Sequence, residues 1–271
     1  MVNEINKIQF QCNICGNYCQ NQISNLGREN PSCLKCGSTV RIRSTIHILS
    51  LELFGESLTL PDFPKNKQIV GIGMSDWNRY AKILSEKFGY TNTFYHKSPK
   101  LDIKKISSEL IGKFDFIISS DVFEHIEYPI SIAFENLYKI LKEEGVVIFT
   151  VPYTIETKEL IEHFDELYNY KIEKNEGKSI LKNITKKGEF QQFENLIFHR
   201  GVDSTLKQKL HFLLFRGCTN EILEMRLFSK QSLINYFNEA GFNKIKFYDE
   251  PFLKYGIYFK EPWSLPMSIR K

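Results

Sequence analysis

Four cysteines in this sequence have the type and spacing of a metal site. They lie in two matching knuckles, "CNICG" (Cys12, Cys15) and "CLKCG" (Cys33, Cys36), in the pattern C-x2-C-x17-C-x2-C. Zinc takes four thiolates in a tetrahedron, and two residues between cysteines let one tight turn aim both sulfurs at one point. Gly16 and Gly37 follow the knuckles, where the backbone must turn under the sulfurs. The expected ligands are Cys12, Cys15, Cys33 and Cys36. Four thiolates leave no open coordination position, so the zinc would be structural, holding a segment too short to fold by apolar burial alone. The alternative is four unligated core cysteines. Cys19 is close enough to be a rival ligand, and Cys218 is expected to pack as a small apolar residue.

A second group is "QIVGIGMSDW", Gln68 to Trp77, which reads as a buried strand, a glycine turn and a helix. That is the shape of a nucleotide-binding loop, with fewer glycines than usual. A third group is Asp121, Glu124 and His125, just past the end of the strand "KFDFIISS". Open parallel sheets place ligands at that end of their strands. His125 has a reference pKa near neutrality and suits a base, or it pins the loop and does no chemistry. Tyr153, after the following strand, is a second catalytic candidate by position. His199 and Arg200 in "FHRG", with Glu224 and Arg226 in "LEMR", are substrate-binding candidates, with a structural ion pair among them expected.

The elements that must position these groups follow from pattern. After Cys36, "RIRSTIHILSLELF" carries Ile42, Ile46, Leu49 and Leu53 at helical spacing. Arg41 and Arg43 at its start are expected to be solvated surface charges, with anion binding as the alternative. "PDFPKNK" is a linker. Gln68–Gly73 is a strand. A helix from Trp77 to Lys87 follows, capped by Asp76 or Ser75 and ended by Gly89. "NTFYH" is a second strand, "KFDFIISS" a third, and "GVVIFTVP" another after a helix opened by Pro129. Their near-continuous apolar runs predict a parallel sheet covered on both faces. Past Pro152, "YKIEKNEGKSILKNITKKGEFQQFENLIFH" alternates with period two and predicts a meander of hairpins. Residues 206–222 read as helical. "SKQSLINYFNEAGFNKIKFYDE" restores a helix, with Ser229 as N-cap and Gly241 at C′, and then a strand. "GIYFKEPWSLPMSI" supplies a last strand region.

Composition sets limits. The 271 residues suffice for one α/β domain and a small module, with 42% hydrophobic, 25% charged and 14% aromatic residues. A net charge of +4 permits an anionic partner without demanding one. "MVNEINKIQFQC" has no apolar signal region, and no run approaches the roughly 20 apolar residues of a membrane span. The expectation is a cytoplasmic chain with reduced cysteines.

"KFDFIISSDVFEHIEYP" followed by "LYKILKEEGVVIFTVPY" resembles the fourth- and fifth-strand motifs of class I S-adenosylmethionine (SAM)-dependent methyltransferases, over roughly residues 68–153. "QIVGIGMSDW" falls where that family has its first glycine loop. The family loop runs acid-x-Gly-x-Gly-x-Gly; here Gly71 replaces the acid, Gly73 is kept, and Ser75 and Trp77 replace the later glycines. The resemblance implies a Rossmann-like α/β sheet flanked by helices with an antiparallel last strand. It implies SAM as cofactor, held by Gly71, Gly73, Met74, Ser75, Asp76, His96, Leu101, Asp102, Ile103, Ser120, Asp121 and Val122. His96 stands where the family has a ribose-binding acid, with Asp102 a few residues on. The four-cysteine ribbon and the tail with "FHRG" and "LEMRLFS" resemble bacterial methyltransferases encoded with surface-polysaccharide genes. The implied organisation is a zinc ribbon (1–42), a connecting helix and linker (43–67), and a methyltransferase domain (68–271) with an insertion at roughly 156–226.

The resulting expectation is O-methylation of a small molecule or glycan precursor. Two alternatives stand beside it. An RNA methyltransferase would use Lys7, Arg28, Lys35, Arg41 and Arg43 as an RNA grip. A zinc-ribbon interaction protein on a degenerate core would bind no cofactor. The acceptor's identity and the oligomeric state are not legible.

Overall fold

The computed structural model describes residues 7–164, 166–175, 178–200 and 221–271. The chain opens with an antiparallel hairpin, β1 (Lys7–Gln11) and β2 (Tyr18–Gln22), whose turn carries the first cysteine knuckle. The second knuckle leads into α1 (Val40–Phe54), capped by the Thr39 side chain and ended by Gly55 in the left-handed region. There follow β3 (Asn66–Met74), α2 (Asn78–Lys87), β4 (Phe88–Thr93), β5 (Phe114–Ser120), α3 (Ser131–Ile140) and β6 (Leu141–Thr150).

An insertion comes next: β7 (Tyr153–Thr154), β8 (Ile161–Glu162), β9 (Asn169–Asn175), β10 (Lys178–Ile184), β11 (Phe190–Phe193), β12 (Phe198–Arg200), β13 (Glu221–Leu223) and β14 (Arg226–Ser229). The chain closes with α4 (Lys230–Glu239), β15 (Lys244–Phe247) and β16 (Met267–Arg270).

The main sheet has the order β15-β16-β6-β5-β3-β4. β6, β5, β3 and β4 are parallel, and β16 runs antiparallel to β6, as the family resemblance implies for the last strand. Alternate residues of β5 feed opposite faces. Phe116 and Ile118 join Val146, Ile148, α1 and α2 in one core; Ile117 joins Val147, Phe149, α3 and α4 in the other. β9, β10 and β11 form the expected meander over a third, small core around Phe164, Leu181, Leu223 and Met225.

Four expectations change. The second strand is Phe88–Thr93, not "NTFYH". Gly89 does not end a helix but pairs with Val70 inside the sheet. A Cβ there would stand 2.8 Å from the Lys67 carbonyl, so glycine serves close strand approach. Neither Ser75 nor Asp76 caps α2, whose N-cap is Trp77 without a side-chain bond. Arg41 and Arg43 are buried, at 8% and 0% exposure, not solvated. The helix expected over 206–222 falls mostly outside the described residues, as does Cys218; residues 221 and 222 belong to β13. Ser229 does cap α4, in a reciprocal bond with Ser232, and Gly241 takes φ +107.

Candidate functional site

The C-terminal ends of the parallel strands meet at one edge. Ser75 and Asp76 follow β3, Asn92 and Thr93 end β4, Ser120 and Asp121 end β5, and Thr150 ends β6. Side chains and backbone stitch the first two ends together. Ser75 N donates to Thr93 O (2.7 Å), Thr93 Oγ1 to Gly73 O (2.7 Å), Asp76 N to Asn92 Oδ1 (2.9 Å), and Asn92 Nδ2 to Asp76 O (2.9 Å). Ser75 holds φ +59, a conformation costly for most side chains.

Asp76 turns its carboxyl back over Gly73. A Cβ at Gly73 would lie 2.0 Å from both Asp76 Oδ2 and the Tyr90 hydroxyl, and one at Gly71 would enter the Phe116 ring. Both glycines therefore make room for the chain's own side chains. Tyr90 donates to Asp76 Oδ2, Tyr80 bonds the same carboxyl, and Asp76 Oδ1 has no partner. Burial pushes the Asp76 pKa up to about 7, with the two tyrosines and Arg41 opposing. An orphaned, buried carboxylate oxygen against the glycine loop suits a cationic group, such as the ammonium of a bound SAM.

Asp121 sits at φ +54 in a charged network that sequence reasoning missed. Arg28 grips it with both ends of the guanidinium, Nη1 to Oδ2 at 2.8 Å and Nη2 to Oδ1 at 2.6 Å. Thr150 Oγ1 adds a bond to Oδ1 (3.0 Å), and Arg41 Nε stands 3.1 Å from Oδ2. Arg41 also donates to Ser120 Oγ (2.6 Å) and to both oxygens of Glu29. Burial pushes the Asp121 carboxyl up, but Arg28 and Arg41 more than offset it and hold it well below the usual carboxylate range.

His125 lies in a 3-10 turn, Phe123–His125. Its Nδ1 donates to the Leu223 carbonyl at 2.9 Å, which leaves Nε2 as the basic nitrogen of the neutral ring, 3.6 Å from Glu124 Oε1. Burial, then the charge of Asp121, raises the Glu124 pKa well above normal. The "LEMR" segment docks on this turn: Met225 N donates to Glu124 O (2.7 Å) and Arg226 Nη1 to Phe123 O (2.8 Å). Arg226, fully buried, pairs with Glu162 at 2.8 Å, and Glu224 pairs with His163 at 3.1 Å. Glu224 and Arg226 thus form ion pairs with His163 and Glu162, not with each other. His199 and Arg200 contribute backbone to β12, and their side chains lie outside the description. Tyr153 is buried on Phe247, with a hydroxyl that has no partner.

The remaining cofactor candidates are less tightly gathered. His96 is exposed beyond the strand end, its ring edge-on to Tyr95. Asp102 Oδ1 accepts from Lys104 N (3.0 Å), and Lys104 Nζ reaches the carbonyls of Glu127 and Tyr128, tying this segment to the His125 turn. Met74, Leu101, Ile103 and Val122 pack in or against the α3 core. Tyr80, Tyr90, Asn92 and Thr150 carry no signal in the sequence, and Arg28 carries one only as a basic residue of the ribbon.

The ligand atoms of Cys12, Cys15, Cys33 and Cys36 all lie within 4.8 Å of one another. Cys12–Cys36 and Cys15–Cys33 sulfurs are 3.6 and 3.8 Å apart. Zinc–sulfur bonds of about 2.3 Å in a tetrahedron require an edge of about 3.8 Å. Gly16 and Gly37 take φ +75 and +77, and each donates its N–H to the first cysteine of its knuckle. Cys19 Sγ lies 3.4 Å from Cys33 Sγ, as a fifth sulfur beside the four. Arg43, whose acceptors are the neutral Ser38 O, Ser32 Oγ and Gly256 O, is a buried cation next to this cluster. Ionised thiolates are the countercharge such a cation needs. The donor set fits a metal.

The sequence matches the family described as "Methyltransferase domain" over residues 62–246, well over half of the chain, and the chain belongs to that family. No curated protein matches it. Among solved structures it resembles the Burkholderia thailandensis 1,6-didemethyltoxoflavin-N1-methyltransferase bound to 1,6-didemethyltoxoflavin and S-adenosylhomocysteine (12% identity, 85% of this chain and 77% of that one, TM-score 0.44). It also resembles SAM-bound CalS10, an amino pentose methyltransferase from Micromonospora echinaspora (9% identity, 86% and 92%, TM-score 0.44). A third is a SAM-dependent methyltransferase from Clostridium acetobutylicum (13% identity, 74% and 82%, TM-score 0.39). Among the described residues no helix is long and apolar enough to cross a membrane.

Proposed function

We propose, from the premise that the chain is a SAM-dependent methyltransferase, that it methylates a hydroxyl oxygen. The acceptor is a small molecule or a sugar- or nucleotide-linked precursor of surface polysaccharide. The observation that carries the oxygen-directed part is the hydrogen bond from His125 Nδ1 to the Leu223 carbonyl. It fixes the ring so that Nε2 accepts a proton, which a hydroxyl must lose as it becomes a neutral methyl ether. The polysaccharide assignment rests on the sequence resemblance of the ribbon and tail.

SAM, when bound, supplies a methyl carbon activated by its sulfonium leaving group. The chain's part is to hold, orient and deprotonate. Asp76 Oδ1, with Gly73 and Ser75, would take the ammonium end. His96 and Asp102 would reach the ribose, and Met74, Leu101, Ile103 and Val122 would provide apolar wall. His125 receives the acceptor's proton, and the Tyr153 hydroxyl orients the acceptor. Zinc on Cys12, Cys15, Cys33 and Cys36 is structural. The cytoplasmic placement follows from the zinc reading, since thiolate ligands stay reduced there. RNA is disfavoured because Arg28, Arg41 and Arg43 turn inward, so the ribbon's basic residues are mostly used up within the fold.

The test is product analysis with SAM and a panel of sugar nucleotides, using the parent and His125→Gln. The expected result is an O-methylated product. The variant should keep its cofactor affinity within a few-fold and lose roughly 10²–10⁴ in kcat. An N-methylated product, or a variant of full activity, would overturn the reading.

A further inference from the structure

We propose that the cysteine module is a working part of the transferase site. Arg28 and Arg41 are positioning residues that shape the cofactor edge through Asp121. This rests on the reading of that edge as the SAM site.

A carboxylate offers about four lone-pair directions. Arg28 takes two of those of Asp121 and Thr150 a third, while the Arg41 guanidinium, whose Nε–H goes to Glu29, stands as an ion pair 3.1 Å from Oδ2. The carboxylate is thus mostly used within the fold, and Asp121 acts by what it holds. What it holds comes from the module. Arg28 lies in the loop between the two knuckles, 93 residues from Asp121 in sequence. Arg41 starts the helix that leaves the second knuckle, and its Nη1 reaches Ser120, 79 residues away. Arg28 Nε also donates to Ser264 O (3.2 Å), and Ser264 Oγ accepts from Tyr153 N (3.1 Å) in β7, while Thr150, the last residue of β6, bonds Asp121 itself. The module therefore braces the ends of β5 and β6 on the side where the ligand must bind. Glu29, half exposed, orients Arg41 from outside.

An ion pair with a purely structural role would change melting temperature and leave ligand affinity alone. The test is isothermal titration of S-adenosylhomocysteine into the zinc-loaded full chain. It compares the parent, Arg28→Ala, Asp121→Asn and the double variant, with zinc content and melting temperature measured on each. Asparagine tolerates the positive φ of Asp121. Each single variant is expected to keep its zinc and lose affinity about tenfold, and the double to lose no more than either, because both remove one contact. Arg28→Lys keeps the charge without the two-pronged grip. It is expected to fall between parent and Arg28→Ala, and it serves if the alanine variant folds poorly. Variants that bind like the parent, or losses that add, would overturn this inference alone. A folded parent that binds no S-adenosylhomocysteine would overturn the cofactor reading and this inference with it.

Discussion

Asp76 shows what burial does to a carboxyl at this edge. Its carboxyl is raised to about 7, so the folded chain binds a proton that the unfolded chain releases near pH 4. The sign follows from linkage. Below the unfolded value the group has no effect on stability, and as pH rises toward about 7 the folded state loses ground; above that the loss is constant. Asp76→Asn removes this dependence. Its melting temperature relative to the parent should rise between about pH 4 and pH 7 and level off beyond. A difference that is flat across that range would contradict the buried, tyrosine-bound carboxyl. At this scale the sequence was legible where a rule is local: the knuckle glycines and the Ser229 cap. It was not legible for Arg41 and Arg43. Their charge argues for solvent, and the acceptors that bury them, Asp121, Ser120 and Gly256, lie far along the chain.

Elements read well where both faces are apolar. The runs in β5 and β6 need no partner to announce themselves, because every residue is covered. β4 begins at Phe88, ahead of "NTFYH", because Gly89 is a strand residue and not a stop: the space it leaves is used by the Lys67 carbonyl of the neighbouring strand. The turn that carries His125 is held from outside, by β14. Arg226 has no exposure, bonds the Phe123 carbonyl and pairs with Glu162. Arg226→Ala strands that carboxylate and should cost about 3–5 kcal/mol in chemical denaturation. Replacing both partners with Met and Leu should recover most of the loss. A cost under about 1 kcal/mol for Arg226→Ala, as for a surface pair, would contradict this account of the turn.

For the whole molecule, the module and the sheet are continuous. Phe10, Ile14, Leu26 and four cysteines share a core with Phe116, Ile118 and Val146. Phe10 also lies under Gly256, where a Cβ would stand 2.7 Å from its ring, so β1 packs on the segment between β15 and β16. The four-cysteine cluster was legible in sequence; its docking was not, because nothing local to the knuckles names the sheet as partner. Cys36→Ser should therefore lower zinc content to background and lower the melting temperature of the entire chain in one transition. Two separate transitions would mean an independent module. The central claim is that the strand-end edge holds SAM. It is tested most directly by titrating S-adenosylhomocysteine into the zinc-loaded parent and into Asp102→Ala. Micromolar binding by the parent, weakened in the variant, is the predicted result. A folded, zinc-loaded parent that gives no binding heat and no shift in melting temperature would contradict it.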